Sequence, residues 1–93
     1  MNRYKSNPSF VLRRIAGEHV LVSVGSGVAS FCGVITLNET ALTLWKKLQT
    51  GADLRELVDT LCEKFAVSED IATADVQEIL TLLNGKGMIL CED

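Results

Sequence analysis

The sequence predicts a small α+β domain: a three-stranded antiparallel sheet on the N-terminal side, then three helices. Two observations carry this. Between residues 10 and 37, short apolar runs are broken by tight-turn residues. Between residues 38 and 83, apolar side chains recur at helical spacing behind residues suited to cap a helix. At 93 residues the chain can hold one modest core, and with 47% apolar residues it belongs with folded rather than disordered chains.

Residues 1–9 read as an N-terminal tail that closes at Asn7-Pro8, because the residue before a proline avoids the helical region. FVLRRI (10–15), the turn Ala16-Gly17 and EHVLVSV (18–24) read as a β-hairpin. In its second strand the face formed by Val20, Val22 and Val24 is the expected core side. Gly25-Ser26-Gly27 reads as a turn, and a third strand is expected over 30–37, with Phe31, Gly33, Ile35 and Leu37 on one face and Cys32, Val34 and Thr36 on the other.

Asn38 then fits a helix N-cap, followed by Ala41, Leu44, Trp45 and Leu48 at helical spacing, with Lys46 and Lys47 in the last turn and Gly51 as the stop. Asp53 and Glu56 stand at capping-box spacing ahead of a second stripe, Leu54, Leu57, Val58, Leu61, Cys62 and Phe65. A third helix is expected to start between Ser68 and Thr73 and to end before Gly85. Its core stripe is Ala72, Val76, Ile79, Leu80 and Leu83, and Met88–Cys91 reads as a short final strand.

The chemistry-bearing residues argue against an enzyme. The acids lie on amphipathic helices at surface spacing, and the single histidine, His19, sits in the hairpin. VGSGVASFCG lacks the lysine and following helix of a phosphate-binding loop. Cys32, Cys62 and Cys91 are far apart with no CxxC pair, so neither a metal site nor a cofactor is expected; Cys32 and Cys62 read as reduced core residues. Glu69, Asp70, Asp75 and Glu78 meet no basic residue between 66 and 83, which disfavours nucleic acid. No apolar run is long enough to span a membrane and residues 1–10 carry no apolar signal core, so a cytoplasmic location is expected, with no membrane partner.

What the core does not use is more informative. Leu82 lies off the third helix's stripe, with Asp75 and Glu78 on the same flank. The third expected strand carries no charge and no proline, which are the usual means of blunting a free edge. If that strand is an edge with the third helix beside it, the two border a groove that a peptide could enter as an added strand; cover by the protein itself or by a second copy is the alternative.

N-P-x-F-V (7–11), G-x-I-x-L-N-E-T-A (33–41), Trp45 with Gly51, D-V-x-x-x-L-x-x-L (75–83) and G-M-I (87–89) together resemble the PqqD-like family. The resemblance runs over almost the whole chain and rests on the order and intervals of these fragments. It implies a winged-helix-like domain over residues 10–93 that acts as a precursor peptide recognition element. Such a domain is not an enzyme. It binds the leader of a ribosomally made precursor peptide and presents it to a modifying enzyme, such as a radical SAM protein. Carried over by position, the peptide site falls on Phe31, Cys32, Gly33, Val34, Ile35 and Thr36 of the third strand and on Asp75, Glu78, Ile79 and Leu82 of the third helix. VGSGVASFCG departs from the PEG-containing stretch of the members that serve pyrroloquinoline quinone synthesis, which leaves the pathway open. Two other readings remain: a winged-helix DNA-binding protein, and an adaptor that forms a homodimer by pairing edge strands.

Overall fold

The computed structural model describes residues 3–23 and 35–92 of the chain. Strands β2 (Phe10–Ile15) and β3 (Glu18–Ser23) form the expected hairpin. Ile15 pairs with Glu18, so the turn is only two residues long, and both of them, Ala16 (φ 53°) and Gly17 (φ 83°), have the positive φ that tight hairpin turns require. Strand β4 (Ile35–Leu37) pairs antiparallel with β3, giving the order β2-β3-β4.

The register aligns Leu12, Leu21 and Ile35 in one row, with Leu37 beside His19 on the same face. This face meets the core, where Leu21 is fully buried and Leu12 and Ile35 pack against it. The expectation that the face of Val20 and Val22 points inward is therefore corrected; Val24 lies outside the described residues. Val20 is buried on the opposite face, in the row of Arg13 and Thr36. The leucine face prevails because its cross-strand neighbours, unlike those of Val20, are themselves aliphatic.

Helix α1 (Glu39–Leu48) follows β4 after a single residue, Asn38, whose side chain accepts the Ala41 N–H at 2.8 Å. Leu44, Trp45 and Leu48 are fully buried. Gly51 (φ 84°) turns the chain into α2 (Leu54–Phe65). Asp53 and Glu56 close the capping box: Asp53 Oδ1 accepts the Glu56 N–H at 2.8 Å and Glu56 Oε1 accepts the Asp53 N–H at 3.3 Å. Ala66, in the left-handed region at φ 53°, ends α2. Helix α3 (Glu69–Gly85), capped by Ser68, runs through Gly85 rather than stopping before it, and the positive φ of 71° falls at Gly87 instead. Ala72, Val76, Leu80 and Leu83 are buried, while Ile79 is only half-buried.

The N-terminal tail expected over residues 1–9 is corrected. Arg3–Ser6 form strand β1, the middle strand of a second antiparallel sheet in the order β5-β1-β6, with β5 at Ala52–Asp53 and β6 at Ile89–Glu92. Tyr4 packs against the core and Ser6 is buried. Arg3 donates to Glu56 at 3.0 Å, the oxygen that also completes the α2 capping box. Asn7-Pro8 makes a turn: Asn7 Oδ1 accepts the Ser9 N–H at 2.9 Å, and its amide donates to the Gly87 carbonyl at 2.8 Å. The final strand expected at Met88–Cys91 is this β6, shifted by one residue.

One core joins both sheets to the three helices: Leu21 and Leu37 from the first sheet, Ala52 and Ile89 from the second, and the buried faces of α1, α2 and α3. Cys62 is half-buried against it and Cys91 is exposed; Cys32 lies outside the described residues. No described helix is long and apolar enough to cross a membrane.

Candidate functional site

The sheet ends at β4, which is hydrogen-bonded to β3 on one side and to no other described strand. Extended backbone left at an edge presents unpaired N–H and C=O groups that a further strand can satisfy. Asn38 determines what lies beyond that edge. Because the cap starts α1 one residue after β4, Ala41 and Leu42 are held beside Leu37, and the core packing of α3 brings Ile79, Leu82 and Leu83 alongside.

The result is a groove of about 850 Å³ between the end of β4, the first turns of α1 and one flank of α3, with the tip of the β2–β3 hairpin forming its remaining wall. The groove has an aliphatic lining, in which Leu37, Ala41 and Leu83 belong to the core and Leu82 is 50% exposed. Thr36, Asn38 and Thr81 add hydroxyl and amide groups, and Glu18, Glu39 and Glu78 add carboxylates. A small neighbouring recess of about 140 Å³ is lined by Asn38, Thr40, Asp75, Glu78 and Ile79.

Of the residues expected at the site, Thr36, Glu78, Ile79 and Leu82 line the groove, and Asp75 borders the adjoining recess. Ile35 is not part of the groove lining and packs against the core. Phe31, Cys32, Gly33 and Val34 lie outside the described residues. The sequence reading missed Glu18 and His19, which reach the groove only through the register that pairs His19 with Leu37. It also missed Leu42, although a leucine one position off the α1 stripe was a signal in the sequence that could have been followed.

The described part of the site combines an extended backbone edge with an aliphatic wall. No group of three or more His, Cys, Asp or Glu side chains gathers into a metal-ligating cluster among the described residues. The groove's single histidine has no acidic hydrogen-bond partner among the described contacts, and the groove lining contains no cysteine and no serine. It offers backbone hydrogen bonds at one wall and aliphatic contact at the other, which are the two elements of recognition by strand addition.

The sequence profile of the family described as Coenzyme PQQ synthesis protein D (PqqD) matches residues 18–89. No curated protein matches the chain in sequence. Two solved structures share its fold. One is TbiB1 in complex with the TbiA(beta) leader peptide, with a TM-score of 0.72 and 24% identity over 91% of this chain and 93% of that chain. The other is lasso peptide synthetase B1 complexed with the leader peptide, with a TM-score of 0.73 and 23% identity over 94% of this chain and 96% of that chain.

Proposed function

This chain belongs to the PqqD family, and we propose that it is a non-catalytic, cytoplasmic peptide-binding chaperone that captures the leader of a ribosomally synthesised precursor peptide and presents it to a modifying enzyme, such as a radical SAM protein. The observation that carries this reading is the edge of β4, which pairs with no second strand among the described residues, beside the aliphatic flank of α3. The leader adds as a strand next to Thr36 and Leu37, and its side chains at alternate positions reach Leu42, Ile79 and Leu82.

Ordering a flexible leader costs about 2–5 kcal/mol of the gross interaction energy. An aliphatic side chain moved from water into such a groove returns about 1.5–3 kcal/mol, so two anchors offset the ordering and backbone hydrogen bonds fix the register. Duplex DNA is a poor occupant. Helix α3 carries four acids and no lysine or arginine between Glu69 and Gly85, so a phosphate backbone would be repelled from the helix that a winged-helix DNA reader would use.

The test is a titration with the leader segment of the precursor peptide encoded nearest the gene, followed by amide NMR. Binding should shift the resonances of Thr36, Leu37 and the 78–82 flank, and Leu82→Arg should weaken it at least tenfold without unfolding the domain. No binding at high micromolar concentration, or binding unchanged by Leu82→Arg, would overturn the groove as the leader site.

A further inference from the structure

The groove carries charge of one sign only. Glu18, Glu39 and Glu78 line it, Asp75 joins Glu78 in the adjoining recess, and no lysine or arginine is part of either lining. The ion pairs among the described residues are Arg3–Glu56, Arg55–Asp59 and Arg55–Glu69, so none of these four carboxylates is neutralised there. The nearest cation on the sheet, Arg14, faces His19 from the far strand β2 and stands outside the groove.

The four acids are also gathered at one end. His19 pairs with Leu37, which places Glu18 level with the end of β4; Glu39 opens α1 immediately beyond; Asp75 and Glu78 share a recess with Asn38 and Thr40. Leu82 follows Glu78 by one turn of α3, and beyond Glu78 the helix contributes Ile79, Thr81, Leu82 and Leu83 to the lining, with no further acid.

Resting on the peptide-binding reading above, we propose that the groove selects an extended segment with a lysine or arginine next to its aliphatic anchors, the cation seated at the Asn38 end of β4. Glu18, Glu39, Asp75 and Glu78 are then specificity determinants, and Ile79 and Leu82 supply contact that any aliphatic segment can use. Exposed charge pairs each change affinity by about two- to fivefold at low salt, so several acids converging on one cation give selectivity without dominating affinity. A bound strand antiparallel to β4 begins at the Asn38 end and carries its cation N-terminal to the anchors; a parallel strand carries it C-terminal. The position of the cation therefore reports the direction of the bound chain.

The test is selection of a random linear peptide library, displayed on phage, against the full chain and against the Glu39→Gln/Glu78→Gln double variant. The wild-type pool should be enriched in aliphatic residues with lysine or arginine on one consistent side. The double variant should keep the aliphatic enrichment and lose most of the basic one. Synthetic peptides from the wild-type pool should weaken about tenfold when their cation is replaced by glutamine, and by less at high salt. Aliphatic enrichment without a basic preference, or a basic preference unchanged in the double variant, overturns the selectivity while leaving the peptide groove standing. A pool with no enrichment that Leu82→Arg abolishes overturns the groove reading and this inference with it.

Discussion

Asn38 Oδ1 accepts the Ala41 N–H at 2.8 Å, and this one bond ends a strand and starts a helix within a single residue. It satisfies one of the four amides that a helix leaves unpaired at its start. It also fixes where α1 stands relative to the β4 edge, because the cap and the last strand residue are neighbours in the chain. Asn38→Ala should cost about 1 kcal/mol, read as a lower urea midpoint with an unchanged slope, and Asn38→Asp should restore most of it. Since Leu37 and Leu42 line the groove on either side of this junction, the alanine variant should also lose affinity for the proposed peptide.

Strand β1 is a structural member of the domain. It pairs with β5 through Arg3 and Tyr4 and with β6 from Arg3 to Ser6. Deleting residues 1–6 should leave the hairpin and helices in register while stripping β6 of its partner. The amides of Ile89–Glu92 should then exchange with solvent orders of magnitude faster, and the urea midpoint should fall. Unchanged exchange at those amides would return residues 1–9 to the status of a tail.

Trp45 is the only tryptophan and is 1% exposed, inside the core and away from the groove lining. Its fluorescence should report unfolding by a red shift yet stay nearly constant as a peptide without tryptophan fills the groove. Trp45→Ala should cost about 3–5 kcal/mol, enough to unfold a domain of this size at moderate temperature.

Two alanines sit where a Cβ is disfavoured: Ala16 at φ 53° in the hairpin turn and Ala66 at φ 53° at the end of α2. Left-handed backbone costs an ordinary residue about 1–2 kcal/mol, which glycine avoids and asparagine partly recovers. Ala16→Asn and Ala66→Gly should therefore each raise stability by about 0.5–1 kcal/mol. Thermal melts of the two single variants and their combination check this, and the gains should add because the sites share no partner.

These positions also show what the sequence could and could not disclose. Asn38, the Asp53–Glu56 box and the stripes of α1 and α2 were legible because each depends on residues within one or two helical turns. Strand β1 was not: four residues of which two are charged carry no apolar pattern, and their partners lie at positions 52–53 and 89–92. The inward face of β3 was ambiguous because Val20, Leu21 and Val22 are all apolar, so the cross-strand neighbours decided it. The aliphatic and acidic flank of α3 could be read as surplus to the core, whereas Glu18 and His19 could enter the groove only once the strand register was known.

The pairing of Arg3 with Glu92 means that the chain enters and leaves the domain on adjacent strands, which run about 5 Å apart. A fold whose two ends meet in this way behaves as a cassette. It can be spliced into a loop of a larger protein at nearly no cost in loop closure, with the β4 edge carried intact on the other sheet. Its architecture thus suits a freestanding domain and an inserted module equally well, and moving between the two requires no change in the groove.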